Sequence, residues 1–235
     1  MGREILCEIR GACVHEHQMI LDSTKTAIVV VDMFDVHWCK TFTLWADDLA
    51  PRLDMALKAF RERGVQIIFM ADGAQEKYSD APQYFRMYAY PHLPDNLSFP
   101  YTLHPAIPGR WPTSGCVCPE GTCDVEHDWN RIHPALTIEP VDLIGEWGDV
   151  LHNACQARGF THLLYCGVAT NWCVLDSRTF SMVPMIDLGY HVVLLRDLTE
   201  AFVAGTCREE GLHLSVEYTE RFIAPTALAG QLLDQ

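Results

Sequence analysis

The stretch Thr161–Arg178, THLLYCGVATNWCVLDSR, constrains the fold more than any other. Leu163-Leu164-Tyr165-Cys166 is an apolar run without alternation, which fits a central parallel strand covered on both faces. Gly167 turns the chain sharply, and the pattern then predicts a helix from Cys173 to Leu188, kinked or split at Pro184. A helix begun straight after a buried strand points its free N–H groups and positive dipole end at its first residues. A cysteine placed there has its thiolate stabilised, so its pKa falls and it becomes a nucleophile near neutral pH. The same spacing also fits a small buried cysteine packed against the sheet, and the residues alone leave both readings open.

Around this stretch the periodicity lays out alternating strands and helices. Residues 3–22 read as a strand or hairpin ending in a turn at Asp22-Ser23, and Thr26–Asp32 as the first central strand. Ala46–Arg63 is an amphipathic helix with Leu49, Leu53, Leu57 and Phe60 on one stripe, stopped by Gly64. Val65–Met70 is a strand, Ala135–Ile138 a short third one, Ile144–Arg158 a helix, His191–Arg196 a fifth strand and roughly 209–222 a last helix. Residues 71–134 form a long insertion rich in Pro, Gly, aromatics and His, the composition of a lid or binding surface. The implied fold is a three-layer α/β/α arrangement with a mostly parallel central sheet, and 235 residues fit one domain with a substantial core. Active sites in such sheets gather outside the carboxyl ends of the strands, where Asp32, Asp72, Glu139, Cys173 and Asp197 should lie.

Charge narrows the partners. A formal net charge of −14 argues against nucleic acid and against an anionic membrane surface. No apolar run approaches the ~18–20 residues of a membrane span, and the charged, alternating start MGREILCEIRG is unlike a signal peptide. Most of the ten cysteines sit singly or inside expected elements, which suits a reducing cytoplasm rather than a disulfide framework.

Gly167-Val168-Ala169-Thr170-Asn171-Trp172-Cys173-Val174 resembles the nucleophile turn of the isochorismatase-like cysteine hydrolases, the superfamily of nicotinamidases and related amidases. Ala27–Asp32, AIVVVD, resembles the first strand of that superfamily, which ends in an aspartate, and Gly189–Asp197, GYHVVLLRD, the strand after the nucleophile helix. The order of elements agrees from about Thr26 to Pro225. The resemblance implies two-step acyl transfer, with Cys173 as nucleophile, Asp32 as general base and then acid, and the N–H groups of Ala169 and Cys173 as oxyanion hole. It also implies a cis peptide at Val168–Ala169 and assembly as a dimer or tetramer.

One element of the resemblance is missing. The superfamily triad has a lysine at the end of the third strand, and the slot falls at or near Glu139 in His133–Asp142, HPALTIEPVD. A carboxylate there raises a neighbouring thiol pKa instead of lowering it. The chain has only Lys25, Lys40, Lys58 and Lys77, so Lys40, His37 or Arg178 are the candidate replacements. In Asp32–Lys40, DMFDVHWCK, the side chains Phe34, Asp35, His37 and Trp38 are candidates for substrate contact, as are Trp172 and Arg178, although His37 and Trp38 equally fit plain packing.

No cofactor is expected. The nicotinamidase-type metal motif Asp-x-His is replaced by Asp72-Gly73-Ala74. Cys116, Cys118 and Cys123, followed by Asp124 and His127, have the residue types of a zinc site, but C-x-C-x4-C-x3-H is not a standard finger spacing and loop cysteines fit as well. Four functions therefore stand at this level. The first is a cysteine hydrolase of a small amide, ureide or imide. The others are an isochorismatase-type vinyl-ether hydrolase using Asp32 as acid, a catalytically silent assembly subunit, and a redox or metal sensor built on residues 116–127.

Overall fold

The computed structural model describes residues 4–11, 15–92, 114–120, 123 and 129–233, those up to residue 17 by their backbone alone. A hairpin of β1 (Glu4–Gly11) and β2 (His15–Asp22) leads in, and a 3-10 turn over Ser23–Lys25, capped by the Asp22 side chain, carries the chain from β2 into the next strand. There follow β3 (Thr26–Val31), α1 (Lys40–Glu62), β4 (Gln66–Met70), α2 (Ala74–Tyr78), α3 (Pro82–Tyr88), β5 (Leu143–Gly145) and α4 (Gly148–Arg158). The chain ends with β6 (His162–Val168), α5 (Met182–Asp187), β7 (His191–Glu200), α6 (Arg208–Phe222), β8 (Thr226–Ala227) and α7 (Ala229–Leu233).

The sheet runs β2-β1-β8-β7-β6-β3-β4-β5. Six strands, β8 to β5 in that order, are mutually parallel, and the hairpin adds to β8 antiparallel through Arg10 opposite Thr226. From β3 the chain moves outward through β4 and β5, then returns to build β6 and β7 on the other side of β3. The crevice between the ends of β3 and β6 is thus the topological switch point, where parallel sheets bind ligands.

Burial explains why these two strands are central. Every residue of β3 is buried, as is all of β6 beyond His162. Gly167 lets them approach: its φ is +96°, and a Cβ there would lie 2.3 Å from the Val31 carbonyl oxygen. On one face of the sheet, α1 buries Leu49, Leu53, Leu57 and Phe60 against Ile28, Val30 and Ile67. On the other, Leu151, Ala154 and Cys155 of α4 cover Ala27, Val29 and Leu163. Fully burying each large side chain contributes about 1.5–3 kcal/mol, so this double layer fixes the frame.

Several expected elements differ, among them the helix expected over Ile144–Arg158, which begins at Gly148 because Leu143–Gly145 is strand. Helix α1 begins six residues before the expected Ala46, with Cys39 at its N-cap. The third strand is Leu143–Gly145 and not Ala135–Ile138, because the backbone of the earlier segment is taken by side chains: Asp54 accepts from the Thr137 N–H at 2.7 Å and Arg61 donates to the Thr137 carbonyl at 2.8 Å. Arg61 also forms a buried bidentate pair with Asp142, at 3.0 and 2.7 Å, whose disruption from one side costs about 3–5 kcal/mol. Strand β7 runs on to Glu200 instead of ending at Arg196, with a register shift against β6 between Tyr165 and Gly167.

Among the described residues no helix is long and apolar enough to cross a membrane.

Candidate active site

Asp32 is the first residue past β3, and its φ of +42° turns it out of strand geometry while its N–H stays tied to the Met70 carbonyl at 3.0 Å. Its carboxylate is 3% exposed and has three partners. Oδ1 accepts from the Asp72 N–H at 2.9 Å, Oδ2 lies 3.3 Å from Arg178 Nε, and the Cys173 thiol is hydrogen-bonded to it. Arg178 also reaches Asp72 with Nη2 at 2.8 Å. A thiol, a buried carboxylate and a guanidinium therefore converge at the mouth of the β3–β6 crevice.

Cys173 is not at the start of a helix. Residues 170–179 make successive turns, and regular helix begins only at Met182. The Cys173 carbonyl accepts from the Ser181 hydroxyl at 2.6 Å, and those of Val174 and Leu175 from the Met182 and Val183 N–H groups. These bonds fold the segment back on itself, so no helical ladder forms, and Pro184 falls in the first turn of α5 where its missing N–H disturbs nothing. The expected lowering of the thiol pKa by a helix dipole is thereby removed. Burial, reinforced by the Asp32 charge, pushes the Cys173 thiol well above its ordinary value, with Arg178 pulling in the opposite direction. Burial likewise raises the Asp32 carboxyl, against the pull of Arg178 and of its two hydrogen-bond donors.

The Val168–Ala169 peptide is cis. In the turn after it, the Trp172 and Val174 N–H groups both donate to the Ala169 carbonyl, and that of Thr170 to the Glu200 carbonyl. No carbonyl among the described residues takes the N–H of Ala169 or of Cys173.

These groups face one cavity of about 140 Å³, whose remaining lining is Phe34, Val36, His37, Trp38, Phe42, Trp129, Val168, Ala169, Trp172 and Phe202. Of the sequence candidates, Asp32, Cys173, Ala169, Phe34, His37, Trp38, Trp172 and Arg178 meet here. His37 is fixed by the Cys39 N–H, which donates to its Nδ1 at 3.0 Å, and by edge contacts to Phe42 and Phe202.

Four expectations need correction. Glu139 does not line the cavity: its N–H is held by Asp142 at 2.7 Å, ahead of β5 and so toward the amino end of the sheet. Since the third strand lies later than expected, the residue at its carboxyl end is Glu146, buried, accepting from the Gln75 N–H at 2.8 Å. Asp35 is a loop brace, accepting from the Asn130 N–H at 2.9 Å, and is absent from the lining. Asp197 is carried away by the extension of β7 and accepts from the Ala229 N–H at the start of α7. Lys40 is exposed and does not line the cavity, and of the three candidate cations Arg178 is the one ion-paired to Asp32.

Sequence reasoning missed Trp129 and Phe202. Residues 131–133 run beside residues 33–35, through Asp35 N–H to the Arg131 carbonyl and His133 N–H to the Met33 carbonyl, and this lays Trp129 on Phe34 with ring centres 4.3 Å apart. Phe202 follows the true end of β7, so the carboxyl-end rule would have found it had the strand been given its full length.

Residues 126–219 match the isochorismatase domain family model. No curated protein sequence matches the chain. Among solved structures, a cysteine hydrolase from Pseudomonas syringae pv. phaseolicola is similar with a TM-score of 0.53 at 15% identity, over 91% of this chain and 93% of that one. An isochorismatase family protein from Burkholderia thailandensis gives 0.53 at 17%, over 90% and 95%, and N-carbamoylsarcosine amidase from Thermoplasma acidophilum 0.51 at 13%, over 87% and 96%. The class is therefore that of the isochorismatase-like α/β fold. The segment that matches the isochorismatase domain model also holds the cysteine turn.

Proposed function

We propose that the protein is a cysteine-dependent hydrolase that cleaves the C–N bond of a small amide, ureide or imide. The observation that carries this reading is the hydrogen-bonded Cys173–Asp32 pair, with Arg178 on the same carboxylate, facing an aromatic-walled cavity. The likeness to an N-carbamoylsarcosine amidase supports the choice of bond.

Because burial and Asp32 hold the thiol protonated at rest, its proton leaves as the attack proceeds. The thiol proton passes to the Asp32 carboxylate while the Cys173 sulfur bonds to the carbonyl carbon and the carbonyl electron pair moves onto oxygen. The Ala169 and Cys173 N–H groups receive that oxyanion. Collapse breaks the C–N bond, and the proton on Asp32 goes to the departing nitrogen. A water then adds to the thioester, giving a proton to Asp32, and the C–S bond breaks as that proton returns to sulfur. Arg178 offsets the negative charge shared by Asp32 and the sulfur, the task of the absent lysine. The rings of Phe34, Trp38, Trp129 and Trp172 suit a small, planar substrate body.

The test is release of ammonia or amine from a panel of small amides, ureides and imides, with mass spectrometry of the quenched enzyme for an acyl adduct on Cys173. Cys173→Ser should abolish turnover with an unchanged circular dichroism spectrum. A folded Cys173→Ser protein that keeps its turnover overturns the thiol mechanism.

A further inference from the structure

We propose that Cys39, Cys116, Cys118 and Cys123 form a mononuclear tetrathiolate zinc site that fastens the insertion to the start of α1. Cys39 comes from the loop after β3, the other three from residues 116–123, and all four are free thiols. Their sulfurs lie within 4.8 Å of one another. Four of the separations are 3.8 Å (Cys39 to Cys116), 3.6 Å (Cys39 to Cys118), 3.6 Å (Cys116 to Cys123) and 3.0 Å (Cys118 to Cys123). A tetrahedron with metal–sulfur bonds of about 2.3 Å has edges of about 3.8 Å, which the Cys39–Cys116, Cys39–Cys118 and Cys116–Cys123 separations approach, while Cys118 and Cys123 would have to part to reach it. Cys39 supplies the fourth ligand that the sequence left between chelation and idle loop thiols; His127, the alternative there, lies outside the described residues.

The surroundings are built for thiolates. The Lys40 N–H donates to Cys123 at 3.4 Å, the Thr41 N–H and hydroxyl to Cys118 at 3.4 and 3.2 Å, and the Val117 N–H to Cys39 at 3.5 Å. Four thiolates around a dication keep a double negative charge, and the first N–H groups of a 23-residue helix face it. An all-sulfur set excludes magnesium and calcium and leaves zinc or iron, while the mutual closeness of all four sulfurs favours one metal over a cluster. With every position taken by protein, the site is structural. Its place matters to the cavity, because His37 and Trp38 directly precede Cys39.

The experiment is metal analysis of protein purified reduced, without chelator or added metal. The expected result is about one zinc per chain, reduced about tenfold or more in Cys118→Ser and Cys123→Ser and unchanged in Cys207→Ser and Cys173→Ala. Reduced apoprotein should take up one cobalt(II) with the intense spectrum of tetrahedral thiolate coordination, and zinc should displace it. Iron in place of zinc overturns the assignment. So does metal-free protein whose reduced form gives no such cobalt spectrum, or whose Cys118 and Cys123 are joined as a disulfide in mass spectra of protein from reducing cytoplasm. The Cys173→Ala measurement keeps this inference independent of the hydrolase reading.

Discussion

Two thiols on either side of the loop after β3, Cys173 and Cys118, are opposites, although the thiols of Cys39 and Cys123 beside Cys118 are raised. Cys173 is buried beside the Asp32 carboxylate, so its proton is held. Cys118 receives the hydroxyl and N–H of Thr41, which bring its thiol down to about 6. Neither behaviour follows from cysteine itself. A thiolate needs donors or a cation, and where burial and a carboxylate replace them the thiol waits for a substrate to draw the proton away.

The comparison breaks most severely at Cys173. Cys173→Ala should reduce kcat/KM for the best substrate by about 10⁴-fold or more while zinc content stays at the native value. A variant that lost both would mean that the two centres are one structural unit. Next comes the cation: Arg178→Ala should cost about 10²–10³-fold in turnover, with Arg178→Lys recovering part of it and moving the pH profile of kcat/KM. Loss through misfolding would leave that profile in place.

Alkylation sharpens the contrast further. In metal-free reduced protein, the iodoacetamide rate at Cys118 should rise to its plateau through about pH 6, as the thiolate forms, and zinc should suppress it. At Cys173 the rate should stay low at neutral pH and climb only in the alkaline range, as its raised pKa requires. Peptide mapping at several pH values measures both at once.

The smallest effect concerns stability. The Asp32 carboxyl is raised above its ordinary 3.8 by burial, so the native state binds more protons than the unfolded chain between that value and the folded one. Stability from this group is full below 3.8 and is lost as pH rises through the folded pKa. Asp32→Asn should lack that loss, so its Tm should gain on the native protein as pH rises through the window, although its turnover is gone. Thermal unfolding of both proteins across mildly acidic pH checks the sign.

Much of the frame was legible. The uninterrupted apolar runs of β3 and β6, the stripe of α1 and the glycine after Cys166 each reflect a local rule, namely burial on both faces, helical period or a positive φ. Asp32, Trp172, Cys173 and Arg178, named from the cysteine turn and the family resemblance, line one cavity because they belong to, or follow directly on, such elements. Glu139 was misplaced for a physical reason: the side chains of Asp54 and Arg61, distant in sequence, capture the backbone around Thr137 and push the strand onward to Leu143. The wall residue Trp129 was invisible because its stacking on Phe34 depends on the return of the insertion along the loop after β3.

The sequence by itself determined which segments form the sheet and that a cysteine turn and an aspartate-ended strand share its mouth, since both follow from patterns spanning a few residues. Only the tertiary structure decided which cation serves Asp32, what holds the Cys173 proton, and that Cys39 meets Cys116, Cys118 and Cys123. Those outcomes depend on distances between groups tens of residues apart. Burial, charge and ligand geometry act through space, and a sequence pattern records them only where neighbours along the chain are also neighbours in the fold.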